Sequence, residues 1–267
     1  MNKYNKFVGL FNEFYDINDI KIDEKLSEYV NFKVGGPADI LLIPNSKEQV
    51  IKSIKICKEN NIPFYLIGNG SNILVRDGGF RGVVLSLKNV KNIYVDGEKI
   101  EAECGVMLKE VSDKAIENSL TGFEFACGIP GTIGGAVFMN AGAYDGEISK
   151  VIESAEVIDE NCNIIRLSRE ELDFGYRSSL VMKKGYTVLS AVFKLEKGQV
   201  KTIKELVDDL TNKRESKQPL EYPSAGSTFK RPTGYFAGKL IQDAGLKGYS
   251  IGGAAVSEKH SGFVINK

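Results

Sequence analysis

A chain of 267 residues with 42% hydrophobic content has the material for a sizeable core and for more than one lobe. Its 35 Lys and Arg balance its 35 Asp and Glu, so no net field draws it to nucleic acid or an anionic membrane, and any anion it binds must meet a local site. Cys57, Cys104, Cys127 and Cys162 show no C-x-x-C spacing and His260 is the single histidine, which argues against a Cys/His metal centre and predicts free thiols in a reducing compartment.

The N-terminus turns acidic where a secretion signal needs an apolar core, and no apolar run nears ~18 residues, so a cytoplasmic protein without membrane spans is expected. Phe7, Leu10, Phe11 and Phe14 have helical spacing. Residues 46–60 do too, with Ser46 and Gln49 in a capping-box pattern ahead of Val50, Ile54 and Cys57. Short apolar runs at 39–44 (DILLIP), 64–67 (FYLI) and 82–87 (GVVLSL) are bounded by Gly, Pro or Asn and predict buried strands.

From residue 92 a hairpin turns at Asp96-Gly97, and a helix follows with Leu108, Val111 and Ala115 on its apolar face. A second hairpin at 154–167 and the run YTVLSAVFKL at 186–195 predict a middle lobe rich in antiparallel strands. Residues 199–218 form a polar helix with Ile203, Leu206, Val207 and Leu210 on one face, ending before Pro219. Lys213, Arg214 and Lys217 at its end are expected to be solvated or to complement the helix dipole. The predicted lobes are 1–88, 89–198 and 199–267.

Two glycine-rich segments carry the chemistry. Gly68, Asn69, Gly70, Ser71 and Asn72 directly follow a strand, where backbone N–H groups can converge on a phosphate, although an isolated G-x-G is more often an ordinary turn. The loop runs on into Ile73-Leu74-Val75 rather than a helix opened by a third glycine, which argues against a Rossmann site. The second segment packs six glycines into positions 128–146 among small and apolar residues, a spacing suited to backbone pressed against a large flat ligand or to tight internal packing. No P-loop sequence occurs.

These segments, with residues 31–39 (NFKVGGPAD), 174–178 (FGYRS), 222–232 (YPSAGSTFKRP) and 256–260 (VSEKH), resemble the UDP-N-acetylenolpyruvoylglucosamine reductase (MurB) family, in order and over nearly the whole chain. The resemblance implies an α+β protein: a two-lobe FAD-binding fold of the vanillyl-alcohol-oxidase (PCMH) type, plus a C-terminal α+β substrate-binding lobe. It implies noncovalent FAD between the first two lobes, NADPH as reductant and an enolpyruvyl UDP-sugar as substrate, in a monomer that handles only small molecules. Residues 68–72, then Pro130, Gly131, Thr132, Ile133, Gly134 and Gly135, with Asn140 and Gly142, would hold the cofactor.

Hydride addition pushes negative charge toward the substrate carboxylate, so a cation is needed there and a proton donor at the neighbouring carbon. By motif match these are Arg177 and Ser227; without the resemblance they read as a surface ion pair and a turn hydroxyl. Tyr176, Lys230, Arg231, Lys239 and Gln242 would serve the substrate, the cations meeting its diphosphate. His260 is expected to be structural. Family members continue past the counterpart of residues 262–266 to a helix and a strand bearing a glutamate that assists proton transfer. No residue up to Lys267 matches that glutamate, so an incomplete site and impaired turnover are expected. A non-catalytic flavin-binding protein, or another FAD oxidoreductase of this fold, would use the same glycine segments.

Overall fold

The computed structural model describes residues 3–267. Strands β1 (Ile20–Lys25), β2 (Pro37–Leu42), β3 (Phe64–Ile67) and β4 (Phe80–Ser86) form a sheet in the order β1-β2-β4-β3. β1 is antiparallel to β2, while β2 and β3 both run parallel to β4. The inner strands β2 and β4 are covered on both faces, which explains their unbroken apolar runs: Ala38, Ile40, Leu41 and Leu42 of β2 are all buried, whereas β3, expected to be buried, lies at the edge and leaves Tyr65 exposed.

Helix α1 (Lys47–Glu59) packs Val50, Ile54 and Cys57 against this sheet, and Ser46 Oγ caps it by accepting from Gln49 N at 3.3 Å. The expected reciprocal box is half formed. Gln49 Oε1 accepts from Asn45 N, and its Nε2 donates to Phe14 O, so this glutamine ties in the N-terminal segment instead. The opening helix is a 3-10 stretch, Asn5–Leu10, containing Gly9, which weakens an α-helix; Phe11 is its buried anchor and Leu10 is exposed.

Strands β5 (Ile93–Asp96), β6 (Lys99–Glu103), β7 (Ile152–Ile158), β8 (Ile164–Ser168) and β9 (Thr187–Lys194) form an antiparallel sheet in the order β8-β7-β9-β6-β5. Gly97, at φ +60°, turns the β5–β6 hairpin. Helices α2 (Leu108–Glu117), α3 (Ile133–Met139) and α4 (Leu180–Lys184) contribute to the largest core, where Leu108, Val111, Phe123, Ile133, Val137 and Phe193 are buried. Each such side chain contributes roughly 1.5–3 kcal/mol. Cys104, Ile158 and Leu189 from this sheet's side complete the core beneath the first sheet, so the two lobes share buried contacts.

Helix α5 (Val200–Lys217) stops before Pro219 as its sequence predicts, and buries Ile203 and Leu210; Leu206, expected on the same face, is 43% exposed. Beyond it, β10 (Ser224–Ser227), β11 (Ser250–Ile251), β12 (Ala254–Val256) and β13 (Phe263–Asn266) form a third sheet in the order β10-β13-β12-β11, with α6 (Ala237–Asp243) between β10 and β11 in the chain. Its buried cluster is small, comprising Ala255, Phe263 and Ile265. Asn266 Nδ2 donates to Phe32 O at 3.1 Å and fastens this sheet to the first lobe.

Candidate active site

The two glycine segments meet at the junction of the first two lobes. Asn69 Nδ2 donates to Pro130 O at 2.8 Å, and a β-carbon on Gly68 would stand 2.1 Å from Thr132 Oγ1. Among the described residues, no backbone N–H from Gly68 to Asn72 finds an acceptor in the protein, although most of the loop is at least half-buried. Unpartnered N–H groups in such a place are costly, and a run of them is a ready seat for an anion. Gly70 is fixed here by its backbone: φ is +62°, and a β-carbon would lie 2.3 Å from Tyr29 O.

The second segment divides into two kinds of residue. The N–H groups of Gly131, Thr132 and Gly135 are also unspent, and β-carbons on Gly131 and Gly135 would meet nothing closer than 3.6 and 3.9 Å, so this surface lies open. Ile133 and Gly134 differ: their N–H groups donate to Val106 O and Cys104 O, both at 2.8 Å, and Gly134 presses on Cys104. The start of α3 is thereby pinned to the strand exit after β6. Those two residues, grouped by sequence with the anion contacts, hold the cradle in place from behind.

Tyr176 and Arg177 sit at the tip of a turn closed by reciprocal Gly175–Ser178 hydrogen bonds. Arg177 has φ +52°, a left-handed position that normally takes glycine or asparagine. Its guanidinium is held by two carbonyls: Nη1 donates to Asn140 O at 3.1 Å, and Nη2 to Gly142 O at 2.7 Å. Asn140, itself left-handed at φ +47° as the C-cap of α3, donates from Nδ2 to Gly175 O and accepts from Ser149 N. Asn140 and Gly142, grouped by sequence with the cofactor contacts, thus serve as the frame for Arg177.

Ser227 ends β10 opposite Phe263, exposed, and its hydroxyl has no hydrogen-bond partner among the described residues. The loop after it reaches the arginine turn: Lys230 Nζ donates to Arg177 O at 3.4 Å and Arg231 N to Tyr176 Oη at 3.3 Å. The Arg231 guanidinium stacks on Phe236 at 3.8 Å. Lys239 and Gln242 lie on α6, where Lys239 is paired with Asp243 at 2.5 Å; neither contacts the turn. His260 accepts from Gly262 N through Nδ1 and packs edge-on against Phe263, the structural role its sequence context suggests.

Arg214, expected from its place at the end of a polar helix to be solvated or to complement the helix dipole, is instead half-buried, its stem passing where a β-carbon on Gly128 would be. Burial pulls its basicity down, with Tyr144 and Cys127 beside it. The available signal was periodicity: Arg214 lies four residues beyond buried Leu210, on the inward side of α5.

Known proteins bear on this arrangement directly. The family description "FAD binding domain" matches residues 38–168, and "UDP-N-acetylenolpyruvoylglucosamine reductase, C-terminal domain" matches 218–267. A UDP-N-acetylenolpyruvoylglucosamine reductase of Clostridium perfringens is 64% identical over 267 residues, covering 100% of this chain and 88% of that protein. One of Clostridium beijerinckii is 64% identical over 266 residues, with the same coverage. The crystal structure of the Thermus caldophilus enzyme (MurB) superposes with a TM-score of 0.80 at 32% identity, covering 92% of this chain and 88% of that one. An alkyldihydroxyacetonephosphate synthase shares the fold alone, at TM-score 0.56 and 19% identity.

Fold and site together define a flavin enzyme of the two-lobe vanillyl-alcohol-oxidase type with an added C-terminal lobe. The chain belongs to the UDP-N-acetylenolpyruvoylglucosamine reductase family. FAD is its cofactor, and the residues present fit it: a phosphate-seeking run of N–H groups at 68–72, next to an open glycine surface where a flat ring system can lie against backbone.

Proposed function

We propose that this chain reduces the enolpyruvyl ether of UDP-N-acetylenolpyruvoylglucosamine to UDP-N-acetylmuramate, with NADPH as reductant, in cytoplasmic synthesis of peptidoglycan precursors. The observation that carries the reading is Arg177, held in a left-handed turn by the Asn140 and Gly142 carbonyls and tied through Lys230 to the loop bearing Ser227. FAD, when bound, takes a hydride from NADPH and delivers one to the enolpyruvyl carbon.

Arg177 spends two of its five N–H groups on the carbonyls and keeps three for the substrate carboxylate, toward which charge moves as the hydride arrives. Ser227 has an unengaged hydroxyl that can donate a proton to the carbon beside that carboxylate. Tyr176 lies under the guanidinium at 5.2 Å and anchors the 231 backbone. Lys230 and Arg231, which hydrogen-bond to this turn, supply cations for a diphosphate, and Lys239 and Gln242 extend the same lobe.

The test separates the half-reactions by stopped-flow absorbance. Ser227→Ala should be reduced by NADPH at the parent rate and reoxidised by the enolpyruvyl ether ~10²–10⁴-fold more slowly, the worth of a positioned general acid. Equal slowing of both phases would make the serine structural. A parent protein whose flavin recovers no faster with the ether than with dioxygen alone would overturn the substrate assignment.

A further inference from the structure

Arg177 is carried by a loop whose backbone is strained on its own. Residues 172–180 close on themselves at the base, where Leu180 N donates to Leu172 O at 2.7 Å, and at the tip through the reciprocal Gly175–Ser178 pair. Within the loop Asp173 and Arg177 are left-handed, at φ +41° and +52°, and the facing segment has left-handed residues at Asn140, Tyr144 and Asp145. Residues other than glycine keep such backbone only where their surroundings over-determine it. The surroundings here are the C-terminal end of α3.

Side chains cross between the two segments in both directions. Asn140 reaches from the end of α3 to Gly175 O, just ahead of Arg177, and Arg177 reaches back to the Asn140 and Gly142 carbonyls. Behind Arg177 the crossing is made by Ser179. Its hydroxyl donates to Phe138 O at 2.6 Å and, as the N-cap of α4, accepts from Met182 N at 3.2 Å. Ser179 is 0% exposed, so a lost hydroxyl would leave a carbonyl and an amide short of a partner. Phe138 O lies two residues before Asn140 O, one of the acceptors of Arg177, and Ser179 lies two residues after Arg177. The length of the serine staple therefore sets how far the guanidinium stands from its acceptors.

We propose that Ser179 is a further positioning residue for the reduction: its bond to Phe138 O holds the arginine turn against α3, so that the free N–H groups of Arg177 face the substrate carboxylate. Ser179 acts only through Arg177. Without its hydroxyl the left-handed residues relax toward ordinary backbone and carry the guanidinium off the Asn140 and Gly142 carbonyls. The proposal rests on Arg177 as the holder of the carboxylate and adds what aims it.

The experiment uses FAD-loaded parent, Ser179→Ala, Arg177→Ala and the double variant. Stopped-flow absorbance follows reduction by NADPH and reoxidation by the enolpyruvyl ether, and ether affinity for the oxidised proteins is read from the flavin difference spectrum. S179A should be reduced within ~2-fold of the parent rate and reoxidised ~10–10²-fold more slowly, the cost of a misplacement of about 1 Å. Its ether affinity should fall ~5-fold, whereas the same change on top of R177A should alter that affinity less than ~2-fold, since the guanidinium it acts through is gone. A merely structural serine would carry the same loss into both backgrounds. That outcome would overturn the proposal, as would S179A reoxidised at the parent rate or slowed equally in both half-reactions. R177A that binds and is reoxidised like the parent would overturn the carboxylate reading of Arg177 and this proposal with it, whereas impaired R177A beside unaffected S179A removes Ser179 alone. Should S179A hold no FAD, Ser179→Cys, which nearly keeps the volume and donates weakly, takes its place under the same expectations.

Discussion

The Thr132 hydroxyl occupies the place beside Gly68 that a side chain on residue 68 would need, with 2.1 Å between Oγ1 and the would-be β-carbon. One segment thus supplies the side chain and the other bare backbone, and the proposed cofactor cradle depends on that match. Gly68→Ala should cost about 1–3 kcal/mol by overpacking and weaken FAD binding. Thr132→Ala in the same chain should recover much of both, because it removes the clashing hydroxyl. Urea midpoints and FAD titration of the four proteins of the cycle give the coupling, and additive losses would contradict the contact.

Gly131 and Gly70 should fail for different reasons. A β-carbon on Gly131 meets Leu108 Cδ1 at an ordinary 3.6 Å, so Gly131→Val should keep the parent's urea midpoint without FAD and lose the flavin from the purified protein. Gly70→Val meets the Tyr29 carbonyl at 2.3 Å in a left-handed backbone, so it should be destabilised with or without cofactor. Absorbance at the flavin maximum beside apo-protein denaturation distinguishes them.

Arg177 stores backbone strain in exchange for its aim. Since φ is +52°, Arg177→Gly should be more stable than Arg177→Ala by about 1 kcal/mol, although both delete the same guanidinium. Thermal denaturation of the two variants measures the gap, and both should lose the ether-dependent phase. Equal stabilities would mean that the turn relaxes once the Asn140 and Gly142 carbonyls are released.

Alkaline pH should loosen the first core. Burial pushes the Cys57 and Cys104 thiols up to about 12 from the ordinary thiol value of 9.0. A group with a raised folded pKa contributes stability that is complete below its unfolded pKa and declines as pH rises toward the folded one. The window therefore opens near pH 9 and runs to about 12, with up to ~1.4 kcal/mol lost per pH unit for each thiol. Urea midpoints at pH 8, 9.5 and 10.5 should fall, and the fall should be shallower in Cys57→Ala than in the parent.

Much of this was legible in the residues. Unbroken apolar runs in the first lobe and alternating ones in the second locate most strands, and a period of 3.6 locates the helices α1, α2 and α5, because burial leaves its pattern in the sequence. The 68–72 loop was legible because glycines directly after a strand constrain the backbone. What escaped lies in long-range geometry. Nothing local distinguishes Ile133 and Gly134, which spend their N–H groups on Val106 and Cys104, from Gly131 and Gly135, which do not. Nothing local shows that the Asn140 side chain braces Gly175 and Ser149. Arg214 reads as solvated because its neighbour Gly128 is 86 residues away in the chain.

The unpartnered N–H groups at 68–72 also bear on how long the protein survives between synthesis and loading. Without flavin, these amides should exchange with solvent almost as fast as those of an unfolded chain, and a loop that opens this readily is a first point of attack for proteases. With the flavin phosphates seated on this loop as proposed, occupancy would close that route and add stability by mass action, about 4 kcal/mol when FAD stands at a thousand times its dissociation constant. Cellular flavin supply would then set the amount of this enzyme as well as its activity, and riboflavin shortage would show first as shorter half-life of the chain.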